Sequence, residues 1–301
     1  VSGTRKPLPP LVGLALYLAF VFLGGSLLAP WLYHAARGLE SVIPALADPR
    51  FHRFVHRSFL GLALLGAWPL LRSQGLASFA SIGLVRLRGQ VRRLANGFML
   101  GFVSLAIVAS LHAVLGGRVW RTNLAAVQLG AEVGEAAAVA AVVAVLEEVL
   151  FRGVLFGVLA RAMHAGAAVW GSALIYALVH FFERPASPDP IVWSSGLVLL
   201  PRMLGGFVAL DGLLPSYLTL TLAGALLAQV YRRSGTLWAS IGWHAGWIFW
   251  LRIYREVTRE NVEAVCSLCG SARMVDGWTT CVIMALVLFA VMRRPWSQFT
   301  R

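Results

Sequence analysis

The chain has 301 residues, 58% of them hydrophobic and only 13% charged, with a mean hydropathy of +0.74. Soluble domains carry about 25% charged residues, so the composition excludes an ordinary soluble enzyme and predicts an all-α, polytopic membrane protein. The net charge of +13 comes from 26 basic residues, of which Lys6 is the only lysine, against 13 acidic ones; no nucleic-acid motif accompanies it, and arginines meeting anionic lipid head groups account for it.

A helical span needs about 20 mostly apolar residues. The first apolar run covers residues 11–32, too long for a signal-peptide core and read as a span. A polar stretch with Arg37, Arg50, Arg53 and Arg57 follows, then a short second span at 58–71. SIGLVRLRGQVRRLANG alternates apolar and basic residues, which suits a helix lying at the membrane surface. Residues 95–116 form the next span, with Gly97 and Gly101 spaced for close helix contact. A long helix at 134–160 and another at 165–182 follow, ended by the prolines of ERPASPDP. Further spans fall at 191–210, 213–230, 236–252 and 278–293.

The expectation is a helical bundle of about eight or nine helices, with N-terminal helices over 1–133 and a core over 134–301 in one integral domain. Asp211 marks a span boundary, and no internal repeat is evident. The arginine cluster at 86–93 favours a cytoplasmic second loop, with the N-terminus inside as well. Arginine and alanine usage points to a high-GC genome, hence to a bacterial inner membrane. Of three cysteines, Cys266 and Cys269 form CSLCG in a polar loop; with no second CxxC they are read as structural or incidental rather than as a metal site.

One apolar helix contains LEEVLFRG, residues 146–153. A charge at mid-span costs about 2.5–3.5 kcal/mol, so Glu147, Glu148 and Arg152 must face the bundle interior. Glu148 and Arg152 are four apart and share a face, which predicts an ion pair. Glu147 points about 100° away from Glu148 and lacks that arginine as its partner. It is a candidate general base, although a structural charge triad would read the same way.

Five histidines, His34, His52, His56, His112 and His164, lie near loops or helix ends and are read as structural. His180 in YALVHFF and His244 in SIGWHAGWIFW sit within or late in apolar helices. Peptide hydrolysis needs a base for water, a donor for the oxyanion and a proton for the leaving amine, and Glu147, His180 and His244 can supply all three. The same three residues would also make a zinc site with one open position, although HExxH is absent.

LEEVLFRG, YALVH and GWHAGW, in that order on successive apolar helices, resemble the CPBP family of CAAX-protease and bacteriocin-processing enzymes, also called Abi. The resemblance covers about residues 134–252, over the motifs EExxxR, FxxxH and HxxxN or HxxxD. It implies a glutamic-type intramembrane endopeptidase acting on membrane-anchored proteins or peptides, with no cofactor required. By that resemblance Glu147 activates the water, Glu148 and Arg152 complete the first motif, His180 assists the water and His244 serves the oxyanion. Tyr176 replaces the usual Phe, and Ile248 stands where Asn or Asp belongs. Ile248 cannot donate a hydrogen bond, so Trp247 is taken as a candidate oxyanion support. Ile248 also keeps open a catalytically weak or inactive immunity or scaffold protein of the same fold. Intramembrane Glu, Arg and His would in addition suit a transporter.

Overall fold

The computed structural model describes residues 8–46, 50–121, 126–207, 213–261, 268–271 and 274–293. The described residues form an all-α protein of nine helices with two three-residue strands. Helix α1 is Pro10–Gly38 and α2 is Phe51–Ser73; α3 is Val91–Val114. Helix α4 runs as Ala126–Glu148, a π-helical stretch Val149–Phe156, then Gly157–Ala162. Helix α5 is Ala165–His180, α6 Ser195–Phe207, α7 Leu213–Ser234, α8 Leu237–Val257 and α9 Trp278–Arg293. Helices α1, α2, α3 and α7 are long and apolar enough to cross a bilayer, and the protein is an integral membrane protein.

The helix limits depart from hydropathy in several places; α4, for one, starts at Ala126, eight residues before the expected 134. Helix α2 starts at Phe51, seven residues before the expected span. His52, Arg53, His56 and Arg57 alternate with buried Phe51, Phe54 and Val55, so the helix continues amphipathically beyond its apolar stretch. The expected surface helix around residues 86–93 is absent. A single 3-10 turn at Leu87–Gly89 leads into α3, and Arg92 and Arg93 join the first turn of that span. Gly83, at φ 77°, and Gly89 interrupt helical geometry there. Residues 208–212, with Asp211, lie outside the described residues.

By their contacts the residues divide into two units, 1–77 with 179–209, and 78–178 with 210–301. In the first unit, Val21, Ala29, Phe51, Val55, Phe59, Leu199 and Met203 form the core shared by α1, α2 and α6. Helices α1 and α6 approach closely because Gly196 has no Cβ; one would overlap the carbonyl oxygen of Ser26.

In the second unit α3 and α8 meet along two glycine pairs. A Cβ on Gly97 or Gly101 would overlap the carbonyl oxygens of Ala239 and Trp243, and one on Gly242 or Gly246 those of Leu94 and Phe98. Small residues four apart let the two backbones touch. Helix α8 is also packed against α4 through Ala140, Ala144, Ile241 and Ala245. Its start is held by Trp238, whose indole donates to the Val85 carbonyl at 2.7 Å. At its far end β1, Arg118–Trp120, pairs antiparallel with β2, Thr258–Glu260. Arg118 donates to Thr258 Oγ1 at 2.7 Å and lies over the Tyr254 ring. Cys269 is disulfide-bonded and Cys281 is free; Cys266 lies outside the described residues.

Candidate active site

The glycine contacts decide where His244 points. Successive helical residues turn by about 100°, so His244 lies about 200° from Gly242 and 160° from Gly246. With both glycines against α3, His244 projects from the other side of α8, where α4 packs. Helix α4 presents Glu147 and Glu148 there, at the point where its α-helical turns give way to the π-helical stretch. Such stretches inside α-helices recur at functional sites.

Glu148 is fully buried and Arg152 nearly so. Their ion pair is formed as the spacing predicts, Arg152 Nη1 to Glu148 Oε1 at 2.8 Å. The second guanidinium nitrogen of Arg152 donates to the Gly224 carbonyl on α7 at 3.2 Å. Gly224 lets α7 lie close to α5, since a Cβ there would stand 3.0 Å from Ala173 Cα. The Arg152 guanidinium also sits 4.7 Å from the Tyr176 ring centroid. An arginine in oil is thus met by a carboxylate, a carbonyl and an aromatic face, each of which offsets part of its desolvation.

His244 completes the group from α8. Its Nδ1 lies 3.0 Å from Glu148 Oε1, the same oxygen that accepts from Arg152. Its Nε2 lies 3.8 Å from Glu147 Oε2, beyond hydrogen-bonding distance. Glu147 is the less enclosed carboxylate, with 27% of its side chain exposed against none for Glu148. An acceptor on Nδ1 fixes the imidazole tautomer, so that Nε2 is the nitrogen turned toward Glu147.

The structure therefore brings together Glu147, Glu148, Arg152 and His244, all in the second unit. The His244 to Glu148 contact is absent from the sequence reading, as is the place of Tyr176. That ring packs on Arg152, 5.0 Å from Phe151 and 6.2 Å from His244 between centroids. His180 is the last residue of α5, one helical turn after Tyr176, and belongs to the first unit. Trp247 is buried, and its indole N–H donates to Ser104 Oγ at 2.8 Å. Ile248 is partly buried against the α4–α8 core. Among the described residues, no three His, Cys, Asp or Glu side chains are grouped to hold a metal ion.

Residues 129–250 match the model of one protein family, described as type II CAAX prenyl endopeptidase, Rce1-like. The match spans α4 to α8 and contains every residue of the group above. No curated protein and no solved structure matches the chain.

Proposed function

With residues 129–250 forming an Rce1-like type II CAAX prenyl endopeptidase domain, we propose that this integral membrane protein is a glutamic-type endopeptidase cutting membrane-attached proteins. The family implies intramembrane proteolysis and protein substrates. The observation that carries the catalytic reading is the disposition of His244, with Nδ1 on Glu148 and Nε2 facing Glu147 at 3.8 Å. At that separation the two groups make no direct hydrogen bond, and both can contact a small molecule seated to one side of the pair.

In this reading Glu147 takes a proton from water as the water oxygen attacks the scissile carbonyl carbon. His180 assists the water. The carbonyl electron pair moves onto oxygen, and the imidazolium of His244 donates from Nε2 to that oxyanion. Glu148, accepting from Nδ1, stabilises the positive ring while it does so. The C–N bond then breaks, and the proton held by Glu147 passes to the leaving amine, restoring the carboxylate. Arg152 and Tyr176 hold Glu148 in place. The substrate class is a protein or peptide attached to the bilayer, processed near its C-terminus, in a bacterial inner membrane.

Ile248 supports a second reading, a weakly active or inactive scaffold of the same fold. It offers no hydrogen bond where the related motif has Asn or Asp, and the neighbouring Trp247 N–H is engaged by Ser104.

Mass spectrometry of membrane-protein C-termini separates the two readings. Cells would carry the wild type, Glu147→Gln or His180→Ala. The peptidase reading expects shortened C-termini with the wild type that are absent with either variant. Identical termini in all three would overturn it. The glutamate-water chemistry further expects trimming in purified vesicles to survive a zinc chelator. Loss on chelation, restored by zinc, would move Glu147, His180 and His244 to a ligand role.

A further inference from the structure

The first unit contains a cavity of about 360 Å³ lined by His52, Arg53, His56, Arg57 and Arg184. Among the described residues, every lining side chain is basic. We propose that this cavity binds a phosphate group, carried by the head group of an anionic phospholipid.

The placement is specific. His52, Arg53, His56 and Arg57 occupy the first two turns of α2, a helix long and apolar enough to span the bilayer. Positions one, four and five apart keep these side chains on one side of the helix, while Phe51, Phe54, Val55 and Ser58 are buried on the other. The fifth side chain, Arg184, comes from the connector after α5. The cavity thus stands at the end of a span, at the depth where lipid head groups lie, and basic pockets between spanning helices suit phosphate head groups there.

The chemistry favours phosphate over a lone carboxylate. Three guanidiniums offer planar pairs of donors, which match the oxygens of a phosphate. His56 Nε2 is buried and, among the described residues, makes no hydrogen bond. A phosphate oxygen would accept from it when the ring is protonated. Glu183 is the acid next to Arg184. Its carboxylate oxygen stands 2.8 Å from where a Cβ on Gly205 would be, and among the described residues no acid lines the cavity. The volume falls within the ~300–1,000 Å³ usual for ligand sites. Arg184 lies four residues after His180, so an occupied cavity would also tether the chain that follows that histidine.

The test is native mass spectrometry of the full chain in detergent. It would be titrated with dioleoyl phosphatidylglycerol, with dioleoyl phosphatidylcholine and with inorganic phosphate. The expected result is retention of phosphatidylglycerol over phosphatidylcholine, weakened about fivefold for each of R53Q, R57Q and R184Q. R86Q, outside the unit, should change nothing. Should R53Q fail to fold, the exposed single changes R57Q and R184Q carry the comparison. Arginine-dependent binding of inorganic phosphate that displaces the lipid would support the same chemistry with free phosphate as its source. Equal binding of both lipids, or binding indifferent to the arginines, would overturn the proposal. Neither result bears on the peptidase reading.

Discussion

Glu148 Oε1 lies 2.8 Å from Arg152 Nη1 and 3.0 Å from His244 Nδ1, so one buried oxygen ties a charge on α4 to an imidazole on α8. That link predicts that the two ring nitrogens of His244 can be separated by substitution. Asn at 244 places an amide near Nδ1 and can still donate to Glu148, but it has nothing at Nε2. We expect H244N to keep a melting temperature near that of the wild type while losing peptidase activity by 10²-fold or more, on the order usual for one oxyanion donor. H244A should lose both, because Glu148 then loses a hydrogen-bond partner at a cost of about 1–3 kcal/mol. Thermal unfolding in detergent and substrate trimming in vesicles are the two readouts. If H244N and H244A are equally unstable, the imidazole is not held through Nδ1.

The Glu148–Arg152 pair predicts a strongly non-additive cycle. Removing one partner leaves the other charge buried without compensation, which costs about 3–5 kcal/mol. R152M and E148Q should therefore each lower the melting temperature sharply. The double variant E148Q/R152M leaves neither charge and should recover much of the loss. Additive losses in unfolding measurements would show that Arg152 is stabilised mainly by the Gly224 carbonyl and the Tyr176 ring instead. Activity should fall in all three variants, since each disturbs the acceptor that orients His244.

These two relationships differ in how visible they are in the sequence. The ion pair is local, since a spacing of four on one helix is enough to predict it. The contact between Glu148 and His244 joins residues 96 apart in sequence and depends on how α4 and α8 pack. Its signal lay in Gly242 and Gly246, spaced like Gly97 and Gly101 and facing them. Hydropathy placed the cores of the spans, because transfer free energy acts on each residue separately. It misplaced the start of α2, where alternating basic and buried aromatic residues carry the helix outward. It also missed β1 and β2, whose three residues each are too few to show a period of two. His180 is legible from its place late in an apolar helix and from its motif, and its role is a proposal.

The glycine seam between α3 and α8 should be intolerant of even one methyl group. A Cβ at Gly101 would overlap the Trp243 carbonyl, and one at Gly246 the Phe98 carbonyl. Backbone cannot rotate aside as a side chain can, so the helices must separate. We expect G101A and G246A each to cost about 1–3 kcal/mol. Both should also lower activity, since α8 carries His244 to the carboxylates. G134A is the control: nothing lies within 4 Å of a Cβ there, and alanine is the better helix former by up to about 1 kcal/mol. Unfolding temperatures rank the three variants. A G101A protein as stable as G134A would mean that the two helices are not in backbone contact.

Trp247 offers a direct measure of whether an indole can replace the missing amide or carboxyl at position 248. Its N–H donates to Ser104 Oγ at 2.8 Å, and that hydroxyl donates in turn to the Gly101 carbonyl at 2.8 Å. The N–H therefore links α8 to α3 and would have to leave Ser104 to meet a substrate oxyanion. A net hydrogen bond of this kind contributes about 0.5–1.5 kcal/mol to stability. If its role is to hold the helices, W247F and S104A should each destabilise by about that amount, with little further loss when combined, and activity should stay within a few-fold of wild type. If the indole instead serves the oxyanion, W247F should lose activity by 10²-fold or more while S104A keeps it. Turnover at saturating substrate, measured beside the unfolding temperature, distinguishes the two, because lost oxyanion support lowers kcat whereas a loosened helix contact lowers the melting temperature first.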